Sequence, residues 1–423
     1  MTATKRRTSA KTGSSTSRRT STNRGSSRAA SSTLVNDRAL VRSKRKSRAK
    51  RQRTGVTTGG KRNATYLTIV FFGLTLFGLV MVLSASSVYS EQFADTPFFF
   101  FKRQLAWAAI GGVGFVIASR IDYRIIRKFA GPALVAVIVL LIAVIIPGVG
   151  ITNNGSTRWI GYGPVVIQPS EFAKLALIIF TANLLALRER RMDRPELTTR
   201  PVLLTVAFVS ALVVLQPKLG TPIVFCAVGF LMLFIAGARL KGLLLWGSTA
   251  LAAALTLALV VGYRRERITS FLDPWADPQG AGFQAIQSQV GISSGGLLGV
   301  GLGASRAKWG FLPFAHNDFI FAIVAEEVGL IGATAFIAAF ILLAWFGIRA
   351  ALQAPDRFGL LLAGGITCWI MVQAFMNIGM VLGVLAITGE PLPFVSAGGS
   401  SLVTTLVGAG LVTSVARRAV IEE

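Results

Sequence analysis

Between residues 65 and 416 the chain alternates long apolar runs with short polar breaks. Ten runs stand out: 65–88, 104–119, 130–148, 171–187, 201–216, 219–238, 242–262, 319–347, 358–385 and 398–416. Several approach the ~20 residues a helix needs to cross a bilayer. Backbone in hydrocarbon has no water to bond, so each run predicts a helix. Glycines inside several runs suit the close helix–helix approach seen in membranes. The pattern predicts an all-α polytopic membrane protein with about ten transmembrane helices.

The breaks between runs carry the topology. If the N-terminus is cytoplasmic, the inside connections hold Arg120, Arg124, Arg127 and Lys128, then Arg188 to Arg200, Arg239 and Lys241, Arg349 and Arg357, and finally Arg417 and Arg418. Every inside connection is basic, as the positive-inside rule requires, and an even number of helices returns the C-terminus to the cytoplasm. The outside connections differ in kind. Segments 149–170, 263–318 and 386–397 are rich in Gly, Pro and polar residues. Connections longer than ~15 residues are usually functional, so chemistry is expected on the outer face, above all in the large extracytoplasmic loop 263–318 between helices 7 and 8.

Composition agrees: only 15% of the 423 residues are charged, against about a quarter in soluble domains. The net charge of +26 is uneven, because residues 1–62 hold 19 of the 44 Lys and Arg and one acid, Asp37. This Ser-, Thr- and Arg-rich segment cannot bury enough apolar area to offset chain entropy and reads as a disordered cytoplasmic tail. Its charge suits anionic lipid on the cytoplasmic leaflet. Nucleic acid is the weaker reading, since no stacking aromatics accompany the charge. The division is then a tail over 1–62, a membrane domain over 63–418 and a short cytoplasmic end over 419–423. Cys226 and Cys368 lie inside apolar runs and predict no disulfide framework.

Several chemistries drop out. With His316 as the single histidine, an HExxH metal site is impossible. No GxSxG elbow is present. The stretch Gly295 to Gly303 lacks the ending of a phosphate-binding loop. What remains is acid–base chemistry beside cations. Asp273-Pro274 and Asp277-Pro278 are turn-forming pairs that place two carboxylates near the outer surface. Arg264, Arg265, Arg267 and Lys308 lie in the same loop and suit phosphate or diphosphate. A carboxylate that accepts a proton beside such cations is a minimal kit for glycosyl transfer from a lipid diphosphate. On spacing alone, both aspartates also read as turn caps. Glu171, Lys174, Lys218, Glu326 and Glu327, in or beside apolar runs, are either working groups or halves of buried pairs.

The segments NGSTRWIGYGPVVIQPSEFAKLALI (154–178), QPKLGT (216–221), DPWADPQGAGFQ continuing to GLIGA (273–333) and TGEPLPFVSAGGSS (388–401) resemble the SEDS family of cell-wall glycosyltransferases (shape, elongation, division and sporulation; the FtsW/RodA type). The resemblance covers the body from Tyr66 to Arg418, and its motifs are closer to the division enzymes than to the elongation enzymes. It implies polymerisation of lipid II into glycan strands at the division septum of the plasma membrane, with inversion at the anomeric carbon and undecaprenyl diphosphate leaving. Transport of lipid II is the alternative from a different class, and an elongation-type polymerase the alternative within the family.

The resemblance also implies roles. Asp277 is the catalytic carboxylate. Arg158, Lys174, Gln216 and Ser288 bind substrate or its diphosphate, and Glu171, His316, Asp318, Glu326 and Ser396 order the cavity; Lys218, where the chain departs from the family, is assigned to the diphosphate by its charge alone. No metal ligands and no cofactor are required, although a divalent ion (Mg or Mn) bridging Asp277 and the diphosphate is allowed. The implied partners are lipid II, the growing strand, a class B penicillin-binding protein and other division proteins. Two departures stand out. The family usually has Asp where this chain has Lys218, and commonly has proline where it has Ala386.

Overall fold

A computed structural model describes residues 58–419 except 154, 155, 164, 217, 219 and 261. The basic tail expected over 1–62 therefore falls largely outside the described residues, as does the end of the chain beyond 419. The first helix begins at Thr58, inside the stretch expected as tail.

Each of the ten apolar runs lies on a helix. In chain order these are α1 (Thr58–Ala94), α2 (Phe99–Arg120), the short α3 (Tyr123–Ile126) leading into α4 (Ala130–Ile145), α5 (Pro169–Leu187), α6 (Thr199–Val214), α7 (Gly220–Ile235), α8 (Leu240–Val260), then α9 (Gly262–Leu272) and α10 (Phe283–Ser294) in the outer loop, and α11 (Ile320–Leu352), α12 (Arg357–Val381) and α13 (Gly399–Arg417). Among the described residues six helices are long and apolar enough to cross a membrane: those over Gly59–Ala94, Tyr123–Ile145, Pro169–Leu187, Ile320–Leu352, Arg357–Val381 and Gly399–Arg417. The chain is a mostly helical, multi-pass membrane protein.

Burial places the centre of the bundle. The spans over Arg357–Val381 and Gly399–Arg417 are 72% and 83% buried, whereas that over Tyr123–Ile145 is 28% buried and leaves its apolar side chains for lipid. Small residues bring the central helices together: a Cβ added at Gly410 would lie 2.6 Å from the Phe115 carbonyl oxygen of α2, closer than any larger residue allows. Starts and stops follow local chemistry. Pro169 opens α5 where its missing N–H costs nothing, with Glu171 in the first turn favoured by the helix dipole. Asp356 caps α12 by accepting from Gly359 N.

Two features depart from the sequence pattern. The connection expected as a loop over 149–170 folds a small antiparallel sheet, β1 (Ile151–Asn153), β2 (Ser156–Tyr162) and β3 (Val165–Ile167), in that order. Ile151 faces Trp159 and Ile160 faces Ile167. Second, α11 is broken at Gly329, whose φ of 66° and ψ of −171° suit only glycine. The break frees backbone groups that a membrane cannot satisfy. The loop 263–318 supplies the partners: Val300 N and Gly301 N donate to the carbonyl oxygens of Glu326 and Glu327, while Leu330 N and Ile331 N donate to those of Gly296 and Leu297. The stretch from Gly329 to Arg349 spans about 30 Å, one hydrocarbon thickness, so the break sits at the outer boundary if Arg349 marks the inner one.

Candidate functional site

The loop 263–318, the small sheet and the segment 382–398 meet around a cavity of about 1620 Å³. Its charged lining among the described residues is four cations, Arg103, Arg158, Lys218 and Arg267, and one carboxylate, Asp318. β2 carries Arg158, whose Nε donates to the Gln216 carbonyl oxygen at 3.2 Å. Arg267, on α9, donates to the Ile387 carbonyl oxygen at 3.0 Å. Arg103 stands near the N-terminal end of α2, next to Gln104, which donates to Ser396 O and accepts from Gly398 N. The cavity then descends between α6, α7 and α8, past Ala207, Ile223, Ala227, Phe230 and Leu251. From Ile223 to Phe230 this apolar groove runs about 10 Å along the helix. A cationic mouth above an apolar groove fits an anionic head group attached to a hydrocarbon chain.

Beneath the mouth, four charges are packed with almost no water. Lys174 Nζ lies 2.8 Å from Glu171 Oε2 and 3.1 Å from Glu390 Oε2. Lys218 Nζ lies 3.1 Å from Glu390 Oε1 and 3.6 Å from Glu171 Oε1. The side chains are 1% (Glu171), 1% (Lys174), 0% (Glu390) and 6% (Lys218) exposed. Signs alternate around the ring, so each charge has two opposite neighbours, which a buried ion needs to offset desolvation. Gln373 Oε1 accepts a further bond from Lys174 at 2.9 Å, and Thr221 donates to Glu390 Oε1 at 2.5 Å. Burial alone would raise the Glu390 carboxyl, but the ammonium groups of Lys174 and then Lys218 outweigh it and hold it at about 2.

Glu326 aside, the expected site residues divide into three groups. Lys218, Arg158, His316 and Asp318 line the cavity. Burial raises the Asp318 carboxyl above the usual range, against the pull of Lys218. Burial also pushes His316 down to about 4, and its ring stacks on Tyr89 at 5.2 Å, so it is a neutral wall at neutral pH. A second group holds the cavity from behind. Glu171 and Lys174 belong to the buried ring. Gln216 Nε2 donates to Leu141 O at 3.0 Å. Ser288 donates to Ala285 O and Val381 O, pinning α10 to the end of α12. Ser396 accepts from Leu392 N and donates to Asn317 O, tying two outer segments together. Glu326 lies apart: it accepts from Ser305 Oγ and from the backbone N–H of Arg306 and Ala307, clamping the outer loop to the broken helix.

Asp277 forms the third group alone. It is exposed, and its carboxylate accepts from Gly280 N at 3.1 Å and Ala281 N at 2.9 Å. It does not line the cavity, but Gln284, on the helix that follows, does. The two N–H donors fix the orientation of its carboxylate. Of the other loop cations, Lys308 is turned inward, 3.7 Å from Glu327, and the side chain of Arg264 lies outside the description. Among the described residues no three His, Cys, Asp or Glu side chains gather as a metal site. An ion at Asp277 would draw one carboxylate from the protein and the rest of its shell from substrate and water.

Sequence reasoning missed Glu390 and Arg103 as site groups, whereas Arg267 was among the loop cations expected to suit a diphosphate. Arg103 follows Lys102 at the mouth of an apolar run, and Glu390 interrupts an otherwise uncharged motif. Either oddity was a usable signal.

Comparison with known proteins adds an independent line. A family model described as cell cycle protein, spanning FtsW, RodA and SpoVE, matches residues 64–420. Stage V sporulation protein E of Bacillus subtilis (strain 168) is 43% identical over 351 residues, covering 83% of this chain and 96% of that protein. The probable peptidoglycan glycosyltransferase FtsW of Geobacter metallireducens is 41% identical over 352 residues, covering 83% and 94%. Among solved structures, a chain from a study of the structural coordination of polymerization and crosslinking by a peptidoglycan synthase complex has a TM-score of 0.67 at 32% identity, covering 83% of this chain and 96% of that one. The rod shape determining protein RodA of Thermus thermophilus has a TM-score of 0.61 at 28% identity, covering 84% and 97%.

Proposed function

This chain belongs to the FtsW, RodA and SpoVE family of cell cycle proteins, and from that premise we propose that it is a peptidoglycan glycosyltransferase that polymerises lipid II in septal wall synthesis. The observation that carries this reading is the cavity: four cations and one carboxylate at an outer mouth, opening onto an apolar groove. The cations would bind the diphosphate of a lipid-linked sugar and stabilise it as it leaves. The groove would take the first part of the polyprenyl chain.

In the reaction the acceptor sugar's 4-hydroxyl attacks the anomeric carbon of the growing strand. A new C–O bond forms, the bond to undecaprenyl diphosphate breaks, configuration inverts, and the hydroxyl proton passes to a carboxylate. Asp277 is the proposed base, its carboxylate oriented by Gly280 N and Ala281 N. Asp318 competes for the role on one specific observation: it is the carboxylate already inside the cavity, and its raised pKa suits proton acceptance. The proposed topology is ten spans with both ends cytoplasmic, supported by the basic inside connections. A class B penicillin-binding protein is the proposed partner, supported by the likeness to a peptidoglycan synthase complex. Location at the septum and contact of the basic tail with anionic lipid complete the reading.

The test uses the full chain with its transpeptidase partner in nanodiscs, given labelled lipid II with and without chelator. Wild type should form polymer, and Asp277→Ala should lower kcat by about 10²- to 10⁴-fold, the usual size of general-base catalysis. Unchanged polymer in Asp277→Ala with loss in Asp318→Asn would transfer the role to Asp318. No polymer under any partner condition would refute the enzyme. Loss with chelator would assign a divalent ion to the leaving group.

A further inference from the structure

The buried ring of charges has one member that faces the cavity. Lys218 lines it, whereas Glu171, Lys174 and Glu390 do not. Lys218 also closes the ring, since without it Glu171 and Glu390 would share the one ammonium of Lys174. With an acid there, Glu171 and Glu390 would add to it as three carboxylates against the single ammonium of Lys174, an arrangement buried charges do not tolerate. With Lys218, the ring is two against two. Its ammonium has Glu390 Oε1 and Glu171 Oε1 3.1 and 3.6 Å away, and the residue lines the cavity.

Both glutamates reach both lysines, but Glu390 Oε1 stands nearer Lys218, at 3.1 Å against 3.6 Å for Glu171, while its Oε2 meets Lys174. It is held in turn by Thr221 Oγ1, and the Glu390 carbonyl oxygen accepts from Asn377 of α12 at 2.7 Å. The same Asn377 amide donates to Asp318 O at 2.8 Å. Its anchorage is thus shared with that of the carboxylate inside the cavity. We infer that Glu390 is a positioning residue matched to Lys218, and that it presents the Lys218 ammonium to the cavity as a cation for the substrate's diphosphate. This rests on the glycosyltransferase reading above.

Glu390→Gln leaves two buried ammonium groups to share Glu171. The apparent melting temperature should fall by about 5 °C or more, and KM for lipid II should rise about tenfold. Lys218→Met/Glu390→Gln removes both charges of the pair and leaves Glu171 with Lys174. The double variant should regain most of the melting temperature, while KM stays about tenfold high because the cavity cation is gone. Lys218→Arg keeps the cation and should hold KM near wild type. A purely structural pair predicts otherwise: the double variant would recover melting temperature and KM together, and that result overturns the proposal. So does a Glu390→Gln variant that loses stability with KM unchanged. If Glu390→Gln does not fold, the double variant still decides. If wild type makes no polymer, the enzyme reading fails, and binding of undecaprenyl diphosphate in nanodiscs replaces KM. Equal affinity in wild type and Lys218→Met/Glu390→Gln would then refute the pairing.

Discussion

Gly329→Ala tests how the outer loop is held. At φ 66° and ψ −171° an alanine is strained by roughly 1–3 kcal/mol. Its Cβ would stand 2.2 Å from Gly299 N, 2.6 Å from Leu297 O and 2.6 Å from Leu298 C. All three are backbone atoms, so no side chain can swing away. Relief needs segment 296–301 to withdraw, which breaks some of the four reciprocal backbone bonds across the break. At about 1 kcal/mol net for each bond, loss of two brings the total to about 3–5 kcal/mol. Alanine also favours a continuous helix over glycine by about 1 kcal/mol, which pulls the same way. Hydrogen exchange read by mass spectrometry is the assay. Amides of 296–301 should lose protection by at least a hundredfold, while α12 and α13 stay protected. Unchanged protection there, with a melting temperature within a degree of wild type, would refute the claim that the loop hangs from the break.

Two further outcomes follow from the cavity. His316 has a pKa of about 4 in the folded chain against 6.5 unfolded, so the unfolded state binds more protons between those values. Stability is then fully present above pH 6.5 and falls by up to about 3 kcal/mol on going to pH 4; His316→Phe should flatten that part of a melting-temperature profile, and an unchanged slope would discard the assignment. Ala227→Trp fills the groove between α7 and α8, and should raise KM about tenfold for a full-length polyprenyl donor but little for a short-chain one; an equal rise for both would remove the groove from tail binding.

The pair of aspartates shows where tertiary structure decides chemistry. From spacing, Asp277 reads as both a turn cap and a base; in the fold its carboxylate is exposed and accepts from Gly280 N and Ala281 N, and only Gln284, seven residues on, lines the cavity. Asp318 reads as a modest ordering group beside His316, but the fold sets it in the cavity lining within the field of Lys218, Arg267 and Arg158.

Helix placement was legible in the chain, because a membrane helix needs only a local run of apolar residues and a polar stop, and both are written in consecutive positions. Charge asymmetry was legible for the same reason, as were the motifs that carry the family resemblance. The buried ring was not. Lys174 and Glu390 lie 216 positions apart, and nothing local in either segment says that α5 and the 382–398 connection will meet. The break at Gly329 was hidden too, since one glycine in an apolar run looks like any other until a loop arrives to satisfy the freed backbone. Periodicity reports which face of an element is apolar. Only packing decides which distant charges share a dry space, and there the low dielectric makes their pairing both costly and specific.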